Sequence, residues 1–101
     1  MSVYVIASYD IADPKAYEGY VPGVVPLLQK HGAEVVVADF AAQGVEGQPR
    51  GVNVVLRFKS EEATRTWYND PAYTSVKQIR LNSTKNCTIV LAKEFVPPSN
   101  S

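Results

Sequence analysis

Four short stretches rich in apolar and β-branched residues alternate with two helical stretches, and this order constrains the fold more than any other feature of the sequence. The stretches that predict strands cover residues 3–8, 34–40, 52–58 and 86–95. The helical stretches follow the first and the third of these strands. Two strand–helix–strand units joined in this way build a split sheet that carries both helices on one face. The sequence therefore predicts an α+β domain of the ferredoxin-like βαββαβ type.

The first helical stretch begins at Asp13 and Pro14, a pair typical of a helix N-terminus. Apolar residues then recur at helical spacing, but Pro22 and Pro26 interrupt them. A proline inside a helix costs about 3 kcal/mol, because it lacks the backbone donor and clashes with the preceding turn. We therefore expect a short first turn to about Gly19 and a second segment that begins at Pro22, with Pro26 kinking it or ending its first turn. His31 with Gly32 is expected to close the helix.

The second helical stretch contains two helices. Ser60 predicts the start of the first, and Asp70 with Pro71 ends it and caps the next. The side chains of the first that we expect to face the sheet are Ala63, Thr66 and Trp67.

Length and charge limit the possible partners. The 101 residues suit one small domain, expected over residues 1–95 with a disordered tail at 96–101. Ten basic and ten acidic side chains cancel, which argues against a nucleic-acid partner. No apolar run approaches the roughly 20 residues that cross a bilayer, and no basic residue precedes the first apolar run as in a signal peptide. We expect a cytoplasmic protein without a membrane or nucleic-acid partner.

Metal and cofactor motifs are missing from the sequence. One cysteine, Cys87, and one histidine, His31, cannot build a zinc site from His and Cys ligands. The glycine-containing stretch at 44–48 has neither the P-loop pattern nor dinucleotide spacing. We expect no metal and no cofactor, and we expect Cys87 to fill a gap in the core without a basic neighbour to activate its thiol.

The face of the sheet opposite the helices carries mixed side chains, such as Asn53, Val55 and Arg57. This face is too apolar to stay fully in water, so we expect a second copy of the chain to pack against it and form a two-fold homodimer. A buried Arg57 needs an acidic partner, for which Asp39 on the neighbouring strand is a candidate.

Several segments resemble the domain of unknown function 1330 (DUF1330) family. Residues 13–20 fit its D-P-x-x-Y-x-x-Y pattern, and the Glu-Gly pair at 46–47 matches its loop element. The runs FKSEEA at 58–63 and WYNDPAY at 67–73, followed by Arg80, are similar to its later signature. Arg57 is a departure, because the family usually carries an acidic residue there, so no role of that carboxylate transfers to this chain.

The resemblance implies a dimeric α+β barrel, in a superfamily that includes cofactor-free monooxygenases, muconolactone isomerase-like proteins and stress-response barrels. It does not imply a reaction, because one fold hosts many chemistries. We expect a small, partly apolar pocket between the sheet and the helices of each subunit.

Two residues are candidates for proton transfer at this pocket. Glu46 lies in a loop with glycines on both sides and could act as a base, although a solvated loop acid or an ion pair with Arg80 explains it equally simply. His31 titrates near neutrality, but a residue at a helix end also serves as a cap or charge partner.

Four residues are candidates for ligand binding. Tyr17, Tyr68 and Tyr73 match the family pattern and could orient a flat, oxygenated ligand, although tyrosines on helix faces also pack in cores. Arg80 could hold an anionic group with two parallel hydrogen bonds, or it could form a structural salt bridge. These residues suggest a protein that binds a small oxygenated or anionic metabolite, either as a cofactor-free enzyme or as a non-catalytic ligand-sensing or accessory dimer module.

Overall fold

The computed structural model describes residues 1–98 of the chain. Its strands are β1 (Val3–Ile11), β2 (Glu34–Asp39), β3 (Val52–Phe58) and β4 (Thr84–Lys93). Its helices are α1 (Pro14–Tyr17), α2 (Tyr20–Lys30), α3 (Glu61–Tyr68) and α4 (Pro71–Ser83). The predicted tail at 96–101 falls partly on residues 99–101, outside the described part of the chain.

The strands form one antiparallel sheet in the order β2-β3-β1-β4, so β1 and β3 lie at its centre. Val5 of β1 pairs with Leu56 of β3 on one side and with Leu91 of β4 on the other. The helices cover one face of this sheet, and the core lies between the two layers. The predicted ferredoxin-like βαββαβ arrangement is confirmed.

The helix starts follow from local capping. The Asp13 carboxylate accepts a hydrogen bond from the Ala16 backbone N–H at 3.1 Å, and Ser60 and Asp70 cap α3 and α4 in the same way. One boundary prediction is wrong, because α2 begins at Tyr20 rather than at Pro22. Pro22 therefore lies in the first turn, where a backbone N–H would have no helical acceptor. Pro26 lies inside α2, whose packing against the core outweighs the lost backbone donor.

The predicted inner face of α3 needs one correction, because Thr66 is exposed and Thr64 is buried instead. Thr64 precedes the buried Trp67 by three residues, so both lie on the same face of the helix, whereas Thr66 is rotated away by about 100°. The Thr64 hydroxyl donates to the Ser60 backbone oxygen at 2.9 Å, which satisfies this buried polar group.

The last strand also differs from its prediction. It begins at Thr84, directly after α4 and two residues before the expected start, and it ends at Lys93. Its pairing with β1 shifts between Ser8 and Asp10, and Asn86 takes a positive φ of 57° near this bulge. Asn tolerates this conformation better than most residues with a side chain.

No described residue covers the face of the sheet opposite the helices. Ile6 of β1 and Val90 of β4 are neighbours on it and are 40% and 51% exposed. The suggested Arg57–Asp39 pair does not form in the described chain. The strand register places Glu34 directly opposite Arg57, and Arg57 Nη2 lies 2.6 Å from a Glu34 carboxylate oxygen.

Among residues 1–98, the helices are all too short or too polar to cross a membrane.

Candidate functional site

A cavity of about 100 Å³ lies between helix α2 and the face of the sheet that the helices cover. Most of its wall is aliphatic, from residues such as Val5 and Leu56 of the sheet and Val24 and Leu28 of α2. Its polar atoms come from four tyrosines, one tryptophan and one arginine. These residues are Tyr9, Tyr17, Tyr20, Tyr73, Trp67 and Arg80.

Arg80 is the charged residue of this cavity and is only 2% exposed. It follows Tyr73 on α4 by two helical turns, so both side chains lie on the buried face of the helix. Its Nη1 donates to the Cys87 Sγ at 3.0 Å, and its Cζ lies 5.9 Å from the centre of the Tyr20 ring. No carboxylate of residues 1–98 lies within ion-pair distance of the guanidinium. Arg80 is therefore a buried cation without a counter-charge in this part of the chain.

The Arg80–Cys87 contact corrects the expectation that no basic group lies next to the cysteine. The sequence separates them by seven residues, across the junction between α4 and β4. Because β4 folds back immediately after α4, the two side chains meet under the helix.

Arg80 remains charged in this environment. Burial disfavours the charged form, but the neighbouring Tyr20 and Tyr73 hydroxyls outweigh this effect and raise the pKa of Arg80 above its usual value. An arginine side chain does not lose its proton in proteins even without such help. The cavity therefore has a permanent positive charge at its inner end.

The tyrosine hydroxyls form two pairs. The Oη atoms of Tyr9 and Tyr17 lie 2.5 Å apart, and those of Tyr20 and Tyr73 lie 2.7 Å apart. In each pair one hydroxyl donates to the other, so the second O–H finds no acceptor among the described residues. Burial raises the pKa values of Tyr9, Tyr17 and Tyr20 above that of free tyrosine. These three groups are therefore neutral hydrogen-bond donors at physiological pH rather than phenolate bases.

Three buried side-chain nitrogens among residues 1–98 have no hydrogen-bond partner: Trp67 Nε1, Arg80 Nε and Arg80 Nη2. All three are donors, and both residues line the cavity. Buried polar groups are nearly always paired in native proteins, so a cluster of unpaired donors at one cavity needs an explanation. Donors and positive charge together favour an anion.

The structure brings three of the predicted binding residues together at the cavity, namely Tyr17, Tyr73 and Arg80. The fourth predicted binding residue, Tyr68, does not line the cavity. Its ring packs 5.9 Å from that of Trp67 and 6.0 Å from that of Tyr73, and Lys77 Nζ lies 4.2 Å from its centre.

Sequence reasoning did not assign Tyr9 and Tyr20 to the site, and it placed Trp67 in the core. The alternation of buried residues along β1 and the D-P-x-x-Y-x-x-Y motif were the signals that could have found the two tyrosines.

The two predicted proton-transfer residues lie away from the cavity. Glu46 is exposed in the loop at 41–51 and forms no ion pair with Arg80. His31 is the C-terminal capping residue of α2, and its Nε2 lies 2.7 Å from the Asp70 carboxylate at the start of α4. Catalytic roles for both residues stay predictions.

Asp70 joins the end of α2 to the start of α4. Its carboxylate accepts from His31, from the Ala72 backbone N–H at 2.8 Å and from Lys30 Nζ at 3.0 Å. These hydrogen bonds, led by that of His31, hold the pKa of Asp70 well below its usual value.

The family with the description "Domain of unknown function (DUF1330)" matches residues 2–95. The chain belongs to the DUF1330 family. The resemblance in the sequence motifs is therefore confirmed over nearly the whole chain. A search of curated proteins finds no match.

Solved structures share the fold of this DUF1330 protein at low sequence identity. RPA0582, a protein of unknown function from Rhodopseudomonas palustris, is 15% identical with a TM-score of 0.81, over 95% of this chain and 84% of that chain. A dimeric ferredoxin-like protein of unknown function from Thermobifida fusca is 16% identical with a TM-score of 0.63, over 90% and 89%. A "putative antibiotic biosynthesis monooxygenase" from Bacteroides thetaiotaomicron is 17% identical with a TM-score of 0.62, over 99% and 95%. These likenesses show a ferredoxin-like α+β fold, which some relatives use as dimers.

Proposed function

We propose that this DUF1330 protein binds a small, oxygenated, anionic metabolite in the cavity beside Arg80. The observation that carries this proposal is the buried guanidinium without a counter-charge among residues 1–98. Removing an ion from water costs several kcal/mol, and the cost is offset when an opposite charge and hydrogen bonds replace the water. A bound anion supplies both.

The free edge of the guanidinium supports a carboxylate as the bound group. Nε and Nη2 are the two unpaired nitrogens of Arg80, and their N–H bonds point in parallel from one side of the planar group. This edge matches the two oxygens of a carboxylate in a bidentate pair. In each tyrosine pair, one O–H remains to donate to an oxygen of the ligand.

Binding without catalysis is the second candidate function, a ligand-sensing or accessory module. The observation that favours it is the raised pKa of Tyr9, Tyr17 and Tyr20, since a neutral phenol near Arg80 is a poor general base. A cofactor-free enzyme would need Glu46 or His31 to reach the ligand, and neither lines the cavity.

We further propose that the protein is a cytoplasmic homodimer formed through the open face of the sheet. Exposed apolar side chains such as Ile6 and Val90 support this assembly, as does the dimeric relative from Thermobifida fusca. The single free thiol of Cys87 suits a reducing compartment. We expect the chain to sediment as a dimer, and Ile6→Lys to shift it to the monomer. Sedimentation of the wild-type chain as a monomer would contradict the proposed assembly.

Binding of propanoate and of its neutral analogue propanamide tests the function. Trp67 is the only tryptophan and lines the cavity, so its fluorescence reports occupancy. We expect propanoate to bind more tightly than propanamide. Arg80→Met should lower the affinity for propanoate by at least about 30-fold, as for the loss of one partner of a buried charge pair.

Arg65→Met is the matched control, because Arg65 is exposed on α3 and pairs with Glu61. It should leave the affinity unchanged. Equal affinities of the acid and the amide, or propanoate binding that survives Arg80→Met, would refute anion binding at this cavity.

A further inference from the structure

The two ends of the cavity differ in chemistry. At the inner end lies Arg80, with Cys87 of β4 beside it. The other end lies between α2 and the edge strand β2, where the lining side chains are 37–48% exposed and aliphatic or aromatic. These residues are Val21, Val25, Val35 and Phe40. Exposed apolar side chains therefore line the cavity on the β2 side, the mouth of the cavity, away from Arg80 and β4, and Ile89 of β4 adds one more at the opposite edge of the sheet.

We infer that the ligand is an amphipathic monocarboxylate, bound with its carboxylate on Arg80 and its apolar tail directed out between α2 and β2. This inference rests on the proposed function and adds to it the charge, the polarity and the orientation of the ligand. It also explains why apolar side chains are exposed around the mouth, since the tail covers them when the site is occupied.

The charge of the site sets the charge of the ligand. Among residues 1–98, Arg80 is the one cation that lines the cavity, so one carboxylate neutralises it. A second carboxylate on a short ligand would lie against Val24, Leu28 or Leu56, where an unpaired charge is strongly disfavoured. A compact dianion, such as inorganic phosphate, meets the same difficulty.

The sheet order sets the direction of the tail. Arg80 contacts β4 at one edge of the sheet, and the mouth lies at β2, the other edge. Three strand spacings of about 4.8 Å separate these edges, or about 14 Å. Val5 of β1 and Val54 of β3 line the cavity between these two edges, and both side chains are aliphatic. An unbranched or flat tail fits such a passage between a helix and a sheet.

A chain-length series tests the inference on the full-length protein. The probes are the straight-chain acids from propanoate to octanoate, with Trp67 fluorescence as the readout. Each methylene that enters the apolar passage should tighten binding about fourfold, until the tail reaches solvent. Butanedioate should bind at least about tenfold more weakly than butanoate, because its second charge has no partner.

A variant at the mouth separates the tail from the head group. Val25→Ser should weaken hexanoate more than propanoate, so that the affinity ratio of hexanoate to propanoate falls by about threefold or more. Leu81→Ser is the matched control, because Leu81 is an exposed aliphatic residue on α4 outside the cavity. It should leave the ratio as in the wild type.

Three results would overturn the inference, and each has its own meaning. Propanoate binding that depends on Arg80 but does not strengthen with chain length would reject the tail and leave the proposed function standing. Hexanoate binding that is insensitive to Arg80→Met would reject the inward orientation of the carboxylate. The lack of any acid that binds in an Arg80-dependent manner would reject the proposed function together with the inference.

Discussion

The two ends of helix α4 carry charged side chains in opposite situations. At its start, Asp70 accepts hydrogen bonds from His31, Lys30 and the Ala72 backbone, so its charge is well compensated. Ten residues later, Arg80 is buried beside Cys87 Sγ and the Tyr20 and Tyr73 side chains, and two of its nitrogens have no partner. One helix thus holds a satisfied anion near the surface and an unsatisfied cation in the core.

The difference separates a structural charge from a functional one. Asp70 ties the end of α2 to the start of α4, and each of its partners belongs to the protein. Arg80 has no counter-charge among residues 1–98, so apart from the Tyr20 and Tyr73 hydroxyls, which favour its charged form, nothing in this part of the chain compensates for its loss of water. A protein retains such a group when a ligand supplies the missing partner.

The largest effect on stability is expected at Arg80. Replacing buried ion pairs by apolar side chains often stabilises by about 1–4 kcal/mol, and because Arg80 has no counter-charge to leave unpaired, we expect Arg80→Met to raise the free energy of unfolding of the ligand-free protein by a similar amount. Urea unfolding followed by circular dichroism, at one protein concentration, measures this change. Arg65→Met should change it by less than about 0.5 kcal/mol, as is usual for surface sites. A clear loss of stability in Arg80→Met would show that Arg80 is structural, like Asp70.

Removing the charge of Asp70 is expected to lower the free energy of unfolding, by less than Arg80→Met raises it. Because its pKa is lowered in the folded state, Asp70 contributes stability that is fully present above the pKa of the unfolded chain, about 3.9. That contribution is lost as the pH falls below about 4 toward the folded-state pKa. Asp70→Asn keeps a side chain that caps helices well and removes only the charge, so it should destabilise the protein at neutral pH.

The pH dependence of urea unfolding checks this second expectation. The stability of Asp70→Asn should approach that of the wild type as the pH falls from 5 toward 2, at constant ionic strength. A stability difference that stays constant over this range would mean that the His31 and Lys30 contacts do not depend on the Asp70 charge.

The smallest effects are expected when His31 or Glu46 is substituted and the affinity for the ligand is measured. His31 belongs to the Asp70 cluster and Glu46 to the exposed loop, so His31→Gln and Glu46→Gln should each leave the propanoate affinity within about twofold of wild type. The same Trp67 titration used for Arg80 measures both. A larger loss for either variant would place that residue at the cavity in solution and would revive its predicted role in catalysis.

Local patterns in the sequence determined most of the fold of this protein. Capping at Asp13, Ser60 and Asp70 and the alternation of apolar residues depend on neighbours within a few positions, so they can be interpreted without a structure. The same local rules failed where packing decided the result. Tyr20 begins α2 ahead of Pro22, and β4 begins directly after α4.

Only the tertiary structure decided what the polar residues do. The sequence marked Arg80, Tyr17 and Tyr73 as binding candidates through a family motif, but it left open whether Arg80 pairs with Glu46. That question depends on distances between residues far apart in the chain, as in the Tyr20–Tyr73 hydroxyl pair, whose members are separated by 53 positions. Whether a charge is a structural partner or a binding group depends on what surrounds it after folding, because burial sets the cost of leaving it unpaired.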